Sequence, residues 1–383
     1  MKREQLTPRA NWREQCEALG FDFHSIDGVY WDERACYAFS ADEIDTLEAA
    51  TGELHRICLL AVEHVVANRR WDDFAIPAAF APCVEASWKR RDKSLYGRFD
   101  LAWAGAEGND KTGGAPKMLE YNADTPTALL EASVVQWYWL QDVYPERDQF
   151  NSLHEKLIER WKLLRAGLPV DRIVHFSCVK DHEEDLGNLD YLRDVATQAG
   201  FDAHHVFVED LGWDDAAGRF VDLDGLPVLA WFKLYPWEWL AREEFGAHLV
   251  AANMRVIEPP WKMILSNKAI LPVLWELNPD HPNLLPAYFS ADKLGRDFVK
   301  KPKLSREGGN ILLRAPNRIL LERGSYGAEG FVYQGLADIP CHEGNYTVIG
   351  SWVVGDEAAG IGLREDDTPI TKNTSRFVPH YFQ

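Results

Sequence analysis

The chain has 383 residues, of which 46% are hydrophobic, and a formal net charge of −19. This length predicts two or three domains and is enough to bury a large core. The acidic charge argues against general binding of nucleic acid or anionic membranes, because both need a positive surface. It does not exclude a locally basic cleft that binds phosphates.

The sequence lacks the apolar runs of a membrane protein. No stretch reaches the roughly 18 to 20 consecutive apolar residues that a membrane-spanning helix needs. Residues 1–21 are charged throughout and have no apolar core of a secretory signal. The six cysteines are scattered, without a CxxC pair, and are interpreted as reduced. We therefore predict a cytoplasmic protein without a membrane partner.

Helical and strand-like patterns alternate in the N-terminal part of the chain. Apolar residues at helical spacing predict helices over 41–70 and 127–141. Residues 95–103 and 117–122 have the pattern of strands. The Gly-rich residues 104–116 between these strands predict a hairpin loop.

The pattern changes in the middle of the chain. A buried strand, 173–177, is followed by a predicted helix at 185–199 that ends at Gly200, and then by a second strand at 203–208. Strand, helix and strand in so few residues form a βαβ unit. A parallel sheet of the doubly wound kind is therefore predicted for 170–255, in a lobe of its own.

The last third of the chain is predicted to be mainly antiparallel sheet with a few helices. After Pro259-Pro260 the pattern indicates a helix at 261–275 and a strand at 297–301. A run of short strands, broken by Gly-rich turns, is predicted for 310–363.

Four polar residues share one face of the predicted hairpin. Arg98 and Asp100 are two apart on one strand, and Glu120 and Asn122 repeat that spacing on the next. Residues two apart on a strand point to the same side. Carboxylate and amide oxygens are ligands that Mg²⁺ prefers, and arginine suits phosphate. The spacing also fits a solvated sheet face with cross-strand ion pairs, so both interpretations remain open.

Basic residues in two segments form a second candidate set. Lys268 is one of them, and Val299-Lys300-Lys301-Pro302 precedes the loop Ser305-Arg306-Glu307-Gly308-Gly309-Asn310. A lysine on a strand that leads into a glycine loop can present its ammonium group and backbone N–H groups to phosphate oxygens. Lysines beside a glycine turn are more often simply solvated.

Two later segments extend this set. Phe331-Val332-Tyr333-Gln334 is an apolar segment whose backbone can hydrogen-bond an adenine, although any strand of a sheet has the same pattern. Arg364 ends an apolar strand and is followed by Ile370 and Thr371. An arginine there either stabilises a transferring phosphate or caps a sheet edge.

Taken in order, these motifs resemble the ligase domain of glutathionylspermidine synthetase and its shorter relatives, which have the ATP-grasp fold. The motifs are spread from about residue 95 to residue 375, and their shared order is the specific part of the match. They are GRFD, MLEYNADTPT, SNKAILPVLW, VKKP with REGGN, VYQ and GLREDDTPIT.

The resemblance implies an α/β (α+β) protein: an ATP-grasp fold with an inserted, doubly wound parallel-sheet lobe of the pre-ATP-grasp type. Residues 1–150 would form the N-terminal part of the ATP-grasp region, with the metal site. Residues 151–258 would form the inserted βαβ lobe. Residues 259–383 would form the C-terminal part, with the lysines that bind ATP.

The resemblance also implies roles for individual residues. Asp100, Glu120 and Asn122 would bind two Mg²⁺ ions, with Glu120 between them. Arg98 and Arg364 would stabilise charge during phosphoryl transfer. The residues expected to contact ATP are Arg98, Lys268, Lys301, Gln334, Leu336, Ile370 and Thr371. Lys300 or Lys303 would replace Lys301 if the register slips.

Substrate contacts are implied for Thr125 and for Glu183 or Glu184. Residues 234–239, LYPWEW, depart from the pattern of glutathione recognition in the bifunctional members of the family, so neither glutathione nor spermidine is assigned. Those members also have a cysteine-dependent amidase domain. There is no room for that domain before residue 95, and no amidase activity is expected.

The expected function is a ligase that uses ATP and Mg²⁺ to join a small-molecule or peptide acid to an amine or polyamine through an acylphosphate. Two alternatives remain open. One is an ATP-binding scaffold or sensor without catalysis, and the other is a kinase that phosphorylates a carboxylate or hydroxyl and stops there. No nucleic-acid or membrane partner is expected, and the sequence does not indicate an oligomeric state.

Overall fold

The computed structural model describes residues 1–25, 28–106, 114–169, 172–252 and 254–383. The α-helices in these ranges are α1 (Trp12–Ala18), α2 (Ala41–Ala67), α3 (Ala81–Lys89), α4 (Gln136–Val143), α5 (Leu153–Leu164), α6 (Glu183–Gln198), α7 (Trp237–Leu240), α8 (Gly246–Ala251), α9 (Lys262–Leu265) and α10 (Ile270–Leu277). A π-helical turn, Glu131–Val135, leads into α4. None of the helices described is long and apolar enough to span a bilayer.

Within the described ranges the strands form five sheets. In chain order they are β1 (Lys2–Gln5), β2 (Ala35–Phe39), β3 (Tyr96–Ala102), β4 (Lys117–Asn122), β5 (Ile173–Ser177), β6 (Asp202–His205), β7 (Gly212–Asp214), β8 (Arg219–Val221), β9 (Ala230–Lys233), β10 (Arg255–Ile257), β11 (Ala287–Tyr288), β12 (Phe298–Pro302), β13 (Leu312–Ala315), β14 (Arg318–Leu321), β15 (Phe331–Gln334), β16 (Cys341–His342), β17 (Asn345–Val354), β18 (Glu357–Asp366), β19 (Arg376–Val378) and β20 (His380–Phe382).

A central antiparallel sheet of six strands joins distant parts of the chain. Its order is β19-β18-β17-β3-β4, with β16 also paired to β17. The long helix α2 covers one face, where Phe99, Ile349 and Leu363 belong to the same apolar core as the helix. Because side chains alternate across a strand, the neighbouring residues point to the opposite face. That second face is therefore available for polar side chains.

The middle of the chain forms a parallel sheet, as predicted. Its order is β10-β9-β5-β6, and every pairing is parallel. Strand β5 has later strands on both sides, which is the doubly wound arrangement. The connecting helix α6 is followed by Gly200, whose φ of +89° suits glycine at a helix end. The second predicted strand is shorter than expected and ends at His205.

The predicted hairpin strands 95–103 and 117–122 are confirmed as the antiparallel pair β3 and β4. Residues 107–113 of the predicted hairpin loop lie outside the described residues. The predicted helix at 127–141 is also present, although it contains the π-helical turn. The division of the chain at residues 150 and 258 stays a prediction.

The prediction of short strands over 310–363 is wrong for its second half. Strands β17 and β18 each have ten residues and pair along their length. Gly350 and Gly362 are register partners inside these strands and do not form turns. A Cβ atom on Gly350 would lie 2.8 Å from Cδ of Arg98. Glycine is therefore needed at this position so that the Arg98 side chain can lie against the strand.

The single helix predicted at 261–275 is two helices, α9 and α10, with a break at 266–269. Asn267 stabilises the break, since its Nδ2 donates to the Phe74 carbonyl at 2.7 Å and its Oδ1 accepts from the Ala269 N–H at 2.9 Å. The backbone N–H of Lys268 donates to the Lys303 carbonyl at 2.9 Å. The break places Lys268 against the five-stranded sheet β11-β15-β12-β13-β14.

A buried ion pair connects the parallel sheet to the central sheet. Lys233, at the end of β9, donates to Asp124 Oδ1 at 2.7 Å, and both side chains are fully buried. The Trp237 N–H donates to the other carboxylate oxygen at 2.9 Å. Burial lowers the pKa of Lys233, while Asp124 acts in the opposite direction. Breaking such a pair leaves an uncompensated charge in the interior.

Replacing Lys233 by methionine should lower the free energy of unfolding by about 3–5 kcal/mol, because Asp124 would lose its buried counter-ion. Urea denaturation followed by tryptophan fluorescence measures this change. The control is Lys180→Met, which removes an exposed partner of Asp210 and should change stability little. Equal losses in the two variants would contradict a special contribution from the buried pair.

Candidate active site

The structure brings the four polar residues of the hairpin together on the face opposite α2. Arg98 pairs directly with Asn122, and Asp100 pairs directly with Glu120, across β3 and β4. Their neighbours Phe99 and Tyr121 point into the core on the other side. The alternation that the sequence predicts is therefore present, and the polar groups form one surface.

Asp100 accepts hydrogen bonds from two arginines. Arg98 Nε donates to Oδ1 at 2.9 Å, and Arg364 Nη2 donates to Oδ2 at 2.7 Å. Burial opposes the charge of Arg98, but Asp100 outweighs it and raises the arginine's pKa. Burial and the nearby Arg98 lower the pKa of Arg364. Two guanidinium groups on one carboxylate leave local positive charge, which favours an anion.

Arg98 is held firmly in place. Its Nη1 donates to the Thr127 carbonyl at 2.5 Å, and its guanidinium carbon lies 5.5 Å from the ring centre of Trp352. Its aliphatic part crosses β17 at Gly350, where a larger residue would collide with it. The guanidinium group is thus positioned before any ligand binds.

Glu120 lies between the hairpin and Lys268. The Nζ atom of Lys268 is 3.1 Å from Oε2 of Glu120 and donates to the Ser305 carbonyl at 2.8 Å. Burial raises the pKa of Glu120, but Lys268 and Lys301 outweigh burial and lower it to about 2. Glu120 is therefore ionised at neutral pH.

Lys301 points toward the same carboxylate from β12. Its Nζ donates to the Leu119 carbonyl at 2.8 Å and to Gln334 Oε1 at 2.7 Å. Burial lowers its pKa to about 8, although the charge of Glu120 opposes this. Lys300 and Lys303 instead lie over aromatic rings, 3.7 and 5.6 Å from the ring centres. Of these three lysines, only Lys301 reaches the face of Glu120.

The oxygen donors fit a hard cation such as Mg²⁺. Asn122 Nδ2 lies 3.3 Å from both Asp100 Oδ2 and Glu120 Oε1, so the two carboxylates converge on one point. A half-turn of the amide would present its oxygen there instead of its nitrogen. Two carboxylates and an amide oxygen match the ligand preference of Mg²⁺.

Two connected cavities adjoin these groups. The first, which we call the lysine cavity, is lined by Lys268, Lys301, Gln334, Ile370 and Thr371 together with the apolar residues Val299, Leu313, Ile339 and Val348. The second, the arginine cavity, is lined by Arg98, Asn122, Thr125, Glu184, Tyr235, Trp239, Arg306 and Arg364. The residues common to both are Asp100, Glu120, Glu307, Gly308 and Thr371.

Two residues expected at the site do not line either cavity among the described residues. Leu336 is half-buried beyond the end of β15, and Glu183 is exposed at the start of α6. The neighbouring Glu184 faces the arginine cavity, as does Thr125.

Gly308 lies in the wall that the two cavities share. Its φ of +72° is in the left-handed region, which favours glycine. A Cβ atom there would lie 2.8 Å from the Thr371 carbonyl oxygen and 2.9 Å from a methyl carbon of Ile370. The loop at 305–310 therefore packs directly on the segment that follows β18.

Arg306 is a third arginine of the site, to which the sequence assigned no role. Its Nη1 donates to Thr125 Oγ1 at 2.8 Å, and its Nη2 donates to Glu238 Oε1 at 3.2 Å. Its guanidinium carbon lies 5.5 Å from the ring centre of Trp239. Its position in the REGGN motif was the one sign in the sequence that it belongs to the site. Its contacts could not be predicted, because its partners are distant in sequence.

Glu131 is a second residue to which the sequence analysis assigned no role. It is fully buried in the π-helical turn, where Tyr30 donates its hydroxyl to Oε1 at 2.5 Å. Its Oε2 has no hydrogen-bond partner among the described residues. Burial raises its pKa to about 7, and the negative charge of Glu184 adds to this effect. The unpaired oxygen and the π turn are both features that often mark functional sites.

The chain matches the family model described as glutathionylspermidine synthase preATP-grasp over residues 3–383. It belongs to this family. A putative acid–amine ligase from Haemophilus influenzae is 44% identical to the chain, and the match covers 100% of both proteins. The family assignment confirms the resemblance found in the ordered motifs.

Longer family members match with lower identity. The bifunctional glutathionylspermidine synthetase/amidase of Escherichia coli is 30% identical, over 96% of this chain and 63% of that protein. Trypanothione synthetase of Crithidia fasciculata is 30% identical, over 85% of this chain and 53% of that protein. The chain thus spans between half and two thirds of these two relatives.

The fold of this family member is also found in a solved structure. A glutathione synthetase-like effector from Globodera pallida superposes with a TM-score of 0.55 at 10% identity, covering 99% of this chain and 98% of that one. The predicted α/β ATP-grasp fold is confirmed.

The raised pKa of Glu131 predicts that stability depends on pH. The folded protein keeps this proton up to about pH 7, whereas the unfolded chain loses it near pH 4.5. Folded molecules hold more protons between these values, so the free energy of unfolding falls as pH rises through that window, by about 3 kcal/mol at most.

Glu131→Gln should remove this contribution, so the variant should gain stability relative to wild type between pH 5 and pH 8. Urea denaturation at both pH values measures the difference. Glu159→Gln, at an exposed position, is the control and should follow the wild-type profile. A wild-type profile in Glu131→Gln would show that Glu131 does not titrate in this window.

Proposed function

We propose that the chain is an ATP-dependent ligase that joins a carboxylic acid to an amine and forms the amide bond through an acylphosphate. Its relatives are named synthetases and acid–amine ligase, which supports the ligase class. The main structural support is a pair of adjacent carboxylates, Asp100 and Glu120, between arginines on one side and lysines on the other.

The lysine cavity suits ATP. Lys268 and Lys301 present two positive charges to the phosphates, and the apolar side chains of the cavity suit the adenine ring. Gln334 and the segment Ile370-Thr371 line the same space. Leu336 is the least supported of the proposed ATP contacts, because it lies outside the lining.

Asp100, Glu120 and Asn122 would hold the magnesium, with two ions as the proposed number. The metal supplies positive charge that neutralises the phosphate oxygens when it is bound. Glu120 is ionised because the two lysines lower its pKa. It is therefore ready to bind a cation without first losing a proton.

The first chemical step transfers the γ-phosphoryl group to the acid. A carboxylate oxygen of the substrate forms a bond to the γ-phosphorus of ATP, and the bond between that phosphorus and the β,γ-bridging oxygen breaks, which releases ADP. Arg98 and Arg364, both hydrogen-bonded to Asp100, would face the transferring phosphoryl group, where negative charge develops. Positioned cations of this kind stabilise the transferring group.

The second step forms the amide. The amine nitrogen bonds to the acyl carbon, the bond from that carbon to the phosphate oxygen breaks, and the nitrogen loses a proton. Inorganic phosphate leaves. No protein nucleophile takes part in either step, so no cysteine is required.

The arginine cavity is the proposed site of the acid and the amine. Thr125 and Arg306 are hydrogen-bonded to each other there, and Glu184 offers a negative charge to an amine. Glu183 is exposed and is the weaker of the two glutamates proposed. A peptide or small acid and an amine or polyamine are the proposed substrate classes, and a cytoplasmic location stays a prediction of the sequence.

Purified protein with Mg-ATP should release ADP when pools of small peptides and amines are added together, as a coupled ADP assay would measure. Arg364→Ala should lower the rate by about 100-fold or more, because one of the two cations at the transferring group is lost. The exposed Arg314→Ala is the matched control and should retain the wild-type rate. Glu120→Gln should lose activity with little change in folding.

Four outcomes separate the alternatives. Hydroxylamine supplied in place of the amine should yield a hydroxamate if an acylphosphate forms on a carboxylate, whereas phosphorylation of a hydroxyl gives none. A kinase that phosphorylates a carboxylate would release ADP but would form no amide when the amine is present. ATP binding without turnover, unchanged in Arg364→Ala, would support a scaffold. The absence of ADP release with every acid and amine pair would exclude the ligase.

A further inference from the structure

Two histidines and an aspartate meet on the parallel sheet, outside the candidate active site. His175 on β5 and His204 on β6 are direct register partners, so their side chains leave neighbouring strands on the same face. Their ring centres are 5.4 Å apart. Asp222, which follows β8, has Oδ2 3.2 Å from Nε2 of His175. None of the three lines the arginine or lysine cavity.

We propose that His175, His204 and Asp222 form a binding site for a Zn²⁺ ion. One nitrogen from each ring and one carboxylate oxygen lie within 4.8 Å of one another. Tetrahedral zinc with bonds of about 2.0–2.1 Å needs ligand atoms about 3.4 Å apart. The 3.2 Å between Nε2 of His175 and Oδ2 of Asp222 is close to this spacing, and His204 is the ligand that would have to move toward the ion.

The donor chemistry selects zinc over magnesium. Imidazole nitrogen is a ligand for zinc and similar transition metals, whereas Mg²⁺ requires oxygen ligands. His175 is fully buried, and its Nε2 faces Asp222 Oδ2 at 3.2 Å.

The neighbours of the three residues support this geometry. The carboxylate of Asp202 lies 3.2 Å from Nε2 of His204, leaving Nδ1 as the nitrogen available to a metal. A carboxylate on the second nitrogen commonly orients a metal-binding histidine. Asp222 Oδ1 accepts from the backbone N–H groups of Asp224 and Leu226 at 3.0 and 2.8 Å, which fixes the carboxylate.

A metal here would attach the β7-β8 hairpin to the parallel sheet. Strands β7 and β8 form a two-stranded sheet that pairs with no other strand among the described residues. An isolated hairpin of this kind has little stability of its own. Asp222 belongs to the hairpin side, and the two histidines belong to the parallel sheet. The bound ion would connect them, with water as a fourth ligand at the partly exposed His204.

The test is zinc binding to the full chain, independent of any ligase reaction. Protein treated with a chelator and dialysed into excess Mg²⁺, which occupies oxygen sites, is titrated with ZnCl₂ by calorimetry, and metal content is then measured by mass spectrometry. We expect one Zn²⁺ per chain and a rise in melting temperature. Glu120→Gln should bind the same amount, because its site is separate.

Variants at the three positions locate the ion. His204→Ala and Asp222→Asn should each weaken zinc affinity by at least about tenfold and abolish the rise in melting temperature. His205→Ala is the matched control, since it changes a histidine on the same strand that points to the opposite face. His204 is partly exposed, so its variant remains informative even where His175→Ala fails to fold.

Three results would overturn the site. They are no zinc bound by wild type in excess Mg²⁺, unchanged affinity in both His204→Ala and Asp222→Asn, and a loss in His205→Ala equal to that in His204→Ala. Failure of the ligase assay would leave these results unaffected, because zinc content and melting temperature need no turnover.

Discussion

The attraction between two adjacent carboxylates and four cations organises this molecule. Asp100 and Glu120 lie on one hairpin, while Arg364 comes from a C-terminal strand, and the lysines from a helix break and from a second sheet. Buried charges are costly without partners. The separate parts of the chain therefore have to meet at this point for any of these charges to be compensated.

A second buried pair sets the position of the arginine cavity. Asp124 follows strand β4 by two residues and binds Lys233 of the parallel sheet, together with the backbone of Trp237. The helix that begins there provides Glu238 and Trp239, both of which contact Arg306. The geometry of the arginine cavity is thus a consequence of how the parallel sheet is attached to the central one.

Sequence reasoning succeeded where the relevant physics is local. Period-two alternation predicted the shared face of Arg98 and Asp100, because a strand imposes it on its own residues. It failed where distant partners decide the conformation. Gly350 leaves room inside a strand for the side chain of Arg98. The break between the two helices beside Asn267 depends on a hydrogen bond to the carbonyl of Phe74. Glu131 was hidden because a π turn disturbs the spacing of its helix.

Under the proposed function, phosphoryl transfer takes place at the lysine cavity and substrate choice is made at the arginine cavity. The lysine cavity needs only to bind a nucleotide, and its charges come from the same short segments that carry the family motifs. The arginine cavity is walled by Tyr235 and Trp239, within the stretch that departs from the glutathione pattern. Aromatic walls there favour ligands with apolar or cationic parts. Differences in substrate between this chain and its relatives should therefore originate in the segment that follows β9, and the phosphoryl-transfer residues should be indifferent to them.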